Sequence, residues 1–441
     1  MKTGLALLLG FVVLAPACSG SGASPGSTKP SSVPSPSSAP SPNDAALARA
    51  SVPRASADPA LATNAGGAIN AFGVDLYRRV ATGDGNVVFS PASIALALAM
   101  ARAGARGTTA TEMDTVLHDL ATDEHAAWLN ALDAALGSRT GTFPDTNDKP
   151  QPVTLRIANA PFAQRGMTLV DAYLEALAAR FDAGLRLVDY RTQREAARKE
   201  INVWVSDQTE GRIPELLVPG TITPDVRLAL VNAIYLKAAW LTPFIEEATK
   251  AGPFTRLDGS TVDVPLMHGG GTFPYASGDG WQAVELPYVG GSLAMTVIVP
   301  EDLAAFEASL SLGALSDITT GLGPRWVNLA LPKFGIESKV DLATMLGTMG
   351  MPTAFDAGVA DFSGITAEER LFISAVIHQA NIDVDEAGTT AAAATAVIMA
   401  TSAASDPVTL TLDHPFLFAL RDVPTGAVLF LGRVTDPSVR E

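Results

Sequence analysis

The chain is poor in residues that carry chemistry. Only one cysteine, Cys18, stands among 441 residues. No disulfide can form within the chain, and no zinc site of several thiolates can be built. Histidine is scarce and scattered, at His118, His125, His268, His378 and His414, and none falls in an HExxH or other metal-ligand spacing. No cofactor is expected. Positive charge is also short: 30 Lys and Arg stand against 46 Asp and Glu, a formal charge of -16 at pH 7. Such a chain lacks the basic face that a phosphate backbone requires, which excludes nucleic acid as a partner. Charged residues are 17% and hydrophobic residues 47%. That balance belongs to a globular protein with a large core.

No apolar run is long enough to cross a bilayer comfortably. The first residues, MKTGLALLLGFVVLAPAC, place Lys2 before an apolar stretch from Gly4 to Leu14, which reads as an export signal. Small residues, Ala15-Pro16-Ala17, then precede Cys18. A thiol at that place resembles a bacterial lipobox, in which the cysteine is acylated. The large aliphatic residue expected three before the cysteine is Ala15 here, with Leu14 one further back. The other reading is an ordinary secretory signal cut nearby. The lipid-anchored reading is adopted because the lone cysteine sits where acylation needs it. The expected product is exported and membrane-anchored.

Residues 19–60 are rich in Ser, Pro, Ala and Gly, and are expected to form a disordered spacer. A GxSxG string at Gly22 to Gly26 would need a strand before it and a helix after it to present a nucleophile. This tract supports neither. Residues 61–441 read as one α+β domain. Helical periodicity marks Ala65–Val80, Ala92–Ala103, Thr109–Leu120, Leu169–Phe181 and Arg194–Gln208. Ser90-Pro91 fits a helix start. Strand patterns mark Leu228–Leu236, Leu293–Val299, Trp326–Leu331, Ser374–Val384 and Val428–Val434. Helices cluster early and strands later, against a repeating βαβ order.

Several blocks then carry a family resemblance. They are NVVFSPASIALALAMARAGARGTTATEM from Asn86, IANAPFAQRG from Ile157, and LVNAIYLKAAW from Leu230. ELPYVGGSLAMTVIVP, LPKFGIES, TLDHPFLFAL and GAVLFLGRV follow in order. Together, over about Leu61 to Pro437, they resemble the serpins, a family of serine protease inhibitors. The resemblance implies three β-sheets, eight or nine helices and an exposed reactive-centre loop, with no catalytic residue and no enzyme activity. It implies a monomer that forms a covalent complex with a target serine protease. The protease attacks the loop, and the cleaved loop inserts into the large sheet as a new strand. The alternative is a serpin-fold binding or carrier protein without inhibition.

In the family register the loop follows Val384-Asp385-Glu386. Its hinge is Glu386, Gly388, Thr389, Thr390, Ala391, Ala392, Ala393 and Ala394. If the segment becomes a strand, Thr389, Ala391, Ala393 and Thr395 share one face. All are small or uncharged and offer no obstacle to burial. Gly388 is expected to supply a flexible pivot. A plain Ala/Thr linker is the other reading of this composition. The residue before the cut is Ser402, with Ala403 after it; Ala404 and Met399 are alternatives. None is Arg or Lys, so trypsin-like targets are disfavoured and elastase-like or subtilisin-like ones are expected. The resemblance also assigns Ser90, Ser93, Asn232, His378 and Trp240 to the region where the large sheet opens.

Overall fold

Elements form where the sequence marks their ends. Ser90, in extended conformation, accepts a hydrogen bond from the Ser93 amide through its Oγ, and Pro91 follows it. That cap starts a helix that is buried from Pro91 to Ala101. In the computed structural model, which describes residues 46–122, 125–389 and 406–439, nine α-helices occur among the described residues. They are α1 (Ala62–Val80), α2 (Pro91–Arg102), α3 (Gly107–Val116), α4 (Ala126–Gly137) and α5 (Asp171–Phe181). Next come α6 (Arg194–Gln208), α7 (Leu303–Ser309), α8 (Leu312–Gly321) and α9 (Ala343–Met349).

The first strands are β1 (Ala46–Ala48), β2 (Val87–Phe89), β3 (Gly141–Pro144), β4 (Pro150–Gln164), β5 (Leu185–Val188) and β6 (Leu228–Ala239). Then follow β7 (Lys250–Thr255), β8 (Thr261–Gly278), β9 (Trp281–Pro287), β10 (Leu293–Pro300), β11 (Gly323–Pro332) and β12 (Phe334–Asp341). The last are β13 (Ala375–Val384), β14 (Gly388–Thr389), β15 (Val408–Thr411), β16 (Phe416–Asp422) and β17 (Val428–Val434).

The large sheet runs β1-β5-β4-β6-β14-β13-β12, with β3 on β4. A second network runs β15-β11-β8-β9-β10-β16-β17-β2, with β7 on β8. Long β8 joins its two halves. It pairs with β7 and β11 along Thr261–Tyr275 and with β9 only from Tyr275 to Gly278. The two halves and the large sheet make up the expected three-sheet arrangement. Strand β6 explains why the core is continuous. Its side chains alternate: Leu228, Leu230, Ile234 and Leu236 join the main core, while Ala229, Val231 and Ala233 pack toward Ile201 and Val205 of α6. Both faces are covered, so the strand reads as a nearly continuous apolar run, interrupted between Leu228 and Leu236 by Asn232.

Two expectations need correction. The third helix ends at Val116, not Leu120, because His118 and Asp119 adopt positive φ (51° and 60°), which a right-handed helix cannot continue. The spacer does not extend to residue 60. The chain joins the large sheet at Ala46, where β1 pairs with β5. The apolar content of 46–48 is only three residues, too little to signal a strand.

Candidate functional site

The site is the place where the large sheet begins to part. Strands β6 and β13 pair in parallel over Ala229–Ile234 and Ala375–Ala380. Beyond Ile234 they diverge. Between their far ends lies β14, antiparallel to both: Thr389 pairs with Val384 and Ala238, and Gly388 pairs with Ala239. The segment following Val384 therefore turns back and enters the sheet at once. Asp385 closes that turn. Its Oδ1 accepts from the Ala387 and Gly388 amides at 2.9 and 3.1 Å, and its own amide donates to the Gly388 carbonyl at 3.0 Å. Burial raises the Asp385 carboxyl above its ordinary range.

At Gly388 the structure shows a steric requirement for glycine. A Cβ there would meet the Ala238 carbonyl oxygen at 2.2 Å and Ala239 Cα at 2.8 Å. The glycine is needed for close approach to β6. Thr389 is 2% exposed, and its Oγ1 lies 2.5 Å from the Tyr288 hydroxyl. Tyr288 stacks on Trp240, with ring centroids 4.4 Å apart. The Trp240 Nε1 donates to the Asp385 carbonyl at 2.9 Å, and its backbone amide donates to Ala387 at 2.9 Å. Glu386 anchors the outer side: Lys333 Nζ is 2.6 Å from its carboxylate, and Thr249 Oγ1 donates to it at 2.7 Å. Burial alone would raise the Glu386 carboxyl, but Lys333 and Thr249 outweigh it and hold it below the ordinary range.

Lower in the sheet, the structure brings Ser90, Ser93, Asn232 and His378 together. His378 and Asn232 are direct partners across the β6–β13 pairing. His378 Nε2 accepts from the Ser90 amide at 3.0 Å, so the ring proton sits on Nδ1 and donates to Asn232 Oδ1. Ser93 Oγ donates to Asn159 Oδ1 at 3.1 Å, and Asn159 is the register partner of Asn232 on β4. Burial pushes the His378 imidazole down to about 3. Among the described residues no group of three or more His, Cys, Asp and Glu could hold a metal ion.

Thr390, Ala391, Ala392, Ala393, Ala394, Met399, Ser402, Ala403, Ala404 and Cys18 lie outside the described residues.

A family model for serpins (serine protease inhibitor) matches residues 67–437. The chain belongs to the serpin family. A serpin-like protein of Thermococcus kodakarensis is 41% identical over 377 residues, covering 84% of this chain and 85% of that one. The leukocyte elastase inhibitor of Equus caballus is 37% identical over 380 residues, covering 83% and 97%. Among solved structures, the thermophilic serpin tengpin in its native state superposes with TM-score 0.77 at 26% identity, covering 89% of this chain and all of that one. Serpin48 of the insect Tenebrio molitor gives 0.74 at 31%, covering 85% and 98%.

Four residues of this serpin's site escaped the reading of the sequence: Tyr288, Lys333, Thr249 and Asn159. Tyr288 and Asn159 lie inside matched blocks, ELPYVGG and IANA, but nothing local says that a tyrosine reaches the loop. Lys333 and Glu386 are 53 positions apart, and only the fold pairs them.

His378 yields a prediction. Its folded pKa lies below the ordinary value near 6.5, so the unfolded chain binds the extra proton first. Its contribution to stability is complete above about pH 6.5 and is lost as pH falls toward 3, at up to about 1.4 kcal/mol per pH unit. Melting temperatures of wild type and His378→Gln, measured from pH 7 to 4.5, should show the steeper acid decline in wild type. Parallel curves would reject the assignment.

Proposed function

We propose that this serpin is a single-use inhibitor of serine proteases with elastase-like or subtilisin-like specificity. On this reading it traps the acyl-enzyme by inserting its cleaved loop between β6 and β13. The observation that carries the proposal is β14: Gly388 and Thr389 already occupy the top of the path the rest of the loop would follow. Below them stands only the parallel pairing of Ala229–Ile234 with Ala375–Ala380. The His378–Asn232 bond spans that pairing and must break as the strand passes. His378 keeps the Ser90 amide, and the buried Asn232 Nδ2, which meets no protein acceptor, loses no bond. Parting then strands few polar groups. The protein is further proposed to be monomeric, exported and held at a membrane through acylated Cys18.

Mixing the protein with elastase or subtilisin should give a complex that survives SDS, and trypsin should give little. A loop cut with full recovery of active protease and no complex would favour the carrier alternative.

A further inference from the structure

Strand β14 is only two residues long, and part of what seats it lies outside the large sheet. The Tyr288 hydroxyl, 2.5 Å from Thr389 Oγ1, belongs to the turn that joins β9 to β10. The turn is bonded within itself: the Tyr288 amide donates to the Leu293 carbonyl at 2.9 Å, and the Gly291 amide to the Tyr288 carbonyl at 3.0 Å. The Val289 amide donates to the Ala239 carbonyl, at the end of β6, at 3.0 Å. The middle of the turn is Gly290-Gly291, both at positive φ (83° and 66°). Two such glycines permit the turn but carry no side chain that could fix it. Its position is set from outside.

The β3–β4 hairpin supplies that support at two points. Phe143 of β3 lies against Gly290, where a Cβ would come within 2.8 Å of the ring. Only glycine allows so close an approach. At the base of the hairpin, Arg139 donates to Asp422 Oδ1 at 2.6 Å, and Asp422 is fully buried. Asp422 faces Leu293 in the pairing of β16 with β10. The next amide, Val423, donates to the Ser292 carbonyl at 2.8 Å. The hairpin is stiff enough to act as a brace. Thr140 Oγ1 donates to the Leu155 carbonyl at 2.9 Å and accepts from its amide at 3.0 Å. At the far turn Asp145 Oδ1 accepts from the Asn147 and Lys149 amides at 2.8 and 3.0 Å.

The brace stands at the level of the hinge. Gly141 pairs with Val153, Val153 with Ala238, Ala238 with Thr389, and Thr389 with Val384. Along that row β3 is three strands from β14, about 14 Å. The shorter route leaves the row: Phe143 touches Gly290, and Tyr288, two residues back, touches Thr389. We propose that Phe143 is a positioning residue for the hinge. By holding the Gly290-Gly291 turn it keeps the Tyr288 hydroxyl against Thr389, and so sets how much of the time Gly388 and Thr389 stay seated in the sheet before a protease arrives. The consequence for inhibition rests on the loop-insertion reading. A seated hinge is the first step of insertion, whereas an unseated one must re-form while the acyl-enzyme hydrolyses.

Hydrogen exchange on the full chain tests the brace without any protease. Mass spectrometry follows a peptide covering Gly388 and Thr389, with Ala375–Ala380 of β13 as the reference. Phe143→Ala should speed exchange at the hinge several-fold and leave the reference unchanged, because only a local opening is made easier. Phe143→Leu, which keeps an apolar side chain against Gly290, should restore most of the protection. Tyr288→Phe removes the hydroxyl and keeps the stack on Trp240, and should also speed hinge exchange several-fold. The double variant Phe143→Ala, Tyr288→Phe should exchange no faster than the faster single one, since both changes break the same link. Unchanged hinge exchange in Phe143→Ala or in Tyr288→Phe would overturn the proposal. So would an equal rise in the β13 reference, which marks general loosening, or effects that multiply in the double variant. With subtilisin, Phe143→Ala should give several-fold less SDS-stable complex and more cleaved serpin; a wild-type yield would cut the brace off from inhibition and overturn that half. Absence of complex from the wild type would bring down the inhibitor reading alone, and hinge exchange would still decide on the brace.

Discussion

Thr389→Arg is expected to abolish stable complex formation while leaving the loop cleavable. Thr389 is 2% exposed, sits between Val384 and Ala238, and touches the Tyr288 hydroxyl. Tyr288 is itself held by stacking on Trp240. A guanidinium placed at Thr389 meets the Tyr288 phenol between the backbones of β6 and β13. Burying an unpaired cation costs at least a few kcal/mol. The arginine therefore drives the hinge out of the sheet before cleavage and opposes its return afterwards. Insertion competes with hydrolysis of the acyl-enzyme. A barrier raised by about 3 kcal/mol slows insertion roughly 100-fold. Deacylation then wins, and active protease is released with cleaved serpin. Thr390→Arg is the control, because neighbouring residues of a strand face opposite sides. It should retain most of the complex. The yield of SDS-stable complex with one protease, compared across both variants, checks the prediction; equal yield from Thr389→Arg and wild type would remove loop insertion as the mechanism.

How much of this was readable beforehand depends on where the information lies along the chain. Helix α6 was readable to the residue, Arg194 to Gln208, because its apolar stripe is local. Helix α2 was marked by its own cap, Ser90 followed by Pro91. Strand β4 was not readable. It carries Pro150, Pro152 and Pro161, residues that argue against a central strand, and only its partners β6 and β5 make it one. The glycine run Gly269-Gly270-Gly271 hid the middle of β8 in the same way. There Gly269 lies against the Phe244 ring, where a Cβ would come within 3.1 Å, a contact made across the fold. The site divides along the same line. Thr389 and Gly388 were marked by composition and order, and the large sheet then supplied what they do. The Tyr288–Thr389 contact joins residues 101 apart, and His378 meets Asn232 across 146. Bonds of that span leave no periodicity. Ala46–Ala48 lay within a Ser- and Pro-rich tract, and its edge pairing with β5 depends on Gly184 standing where any side chain would collide.

A single cut in the loop is expected to raise the melting temperature by roughly 20 °C or more. Two pairings in the large sheet are parallel, β4 with β5 and β6 with β13, and the second is the seam beside β14. Strands β6 and β13 meet there in parallel along Ala229–Ile234 and Ala375–Ala380, and parallel pairing is slightly less stable per residue than antiparallel. An inserted strand continues the antiparallel register that Gly388 and Thr389 have begun on both neighbours. One parallel interface is thereby exchanged for two antiparallel ones. In an inserted strand the alternate residues Ala391, Ala393 and Thr395 would share the inward face with Thr389. About a dozen residues are added beyond Thr389. At about 1 kcal/mol net per hydrogen bond the gain is of order 10 kcal/mol. At about 2 °C per kcal/mol for a large domain, that gives the stated shift. The intact protein cannot take this gain, because the loop is held at both ends: it leaves β14 at Thr389 and the chain resumes in β15 at Val408. Cutting frees one end. Calorimetry before and after a cut, located between Ala396 and Ser405 by mass spectrometry, measures the difference. An unchanged melting point after such a cut would mean that the seam does not accept the strand, and the carrier alternative would then stand.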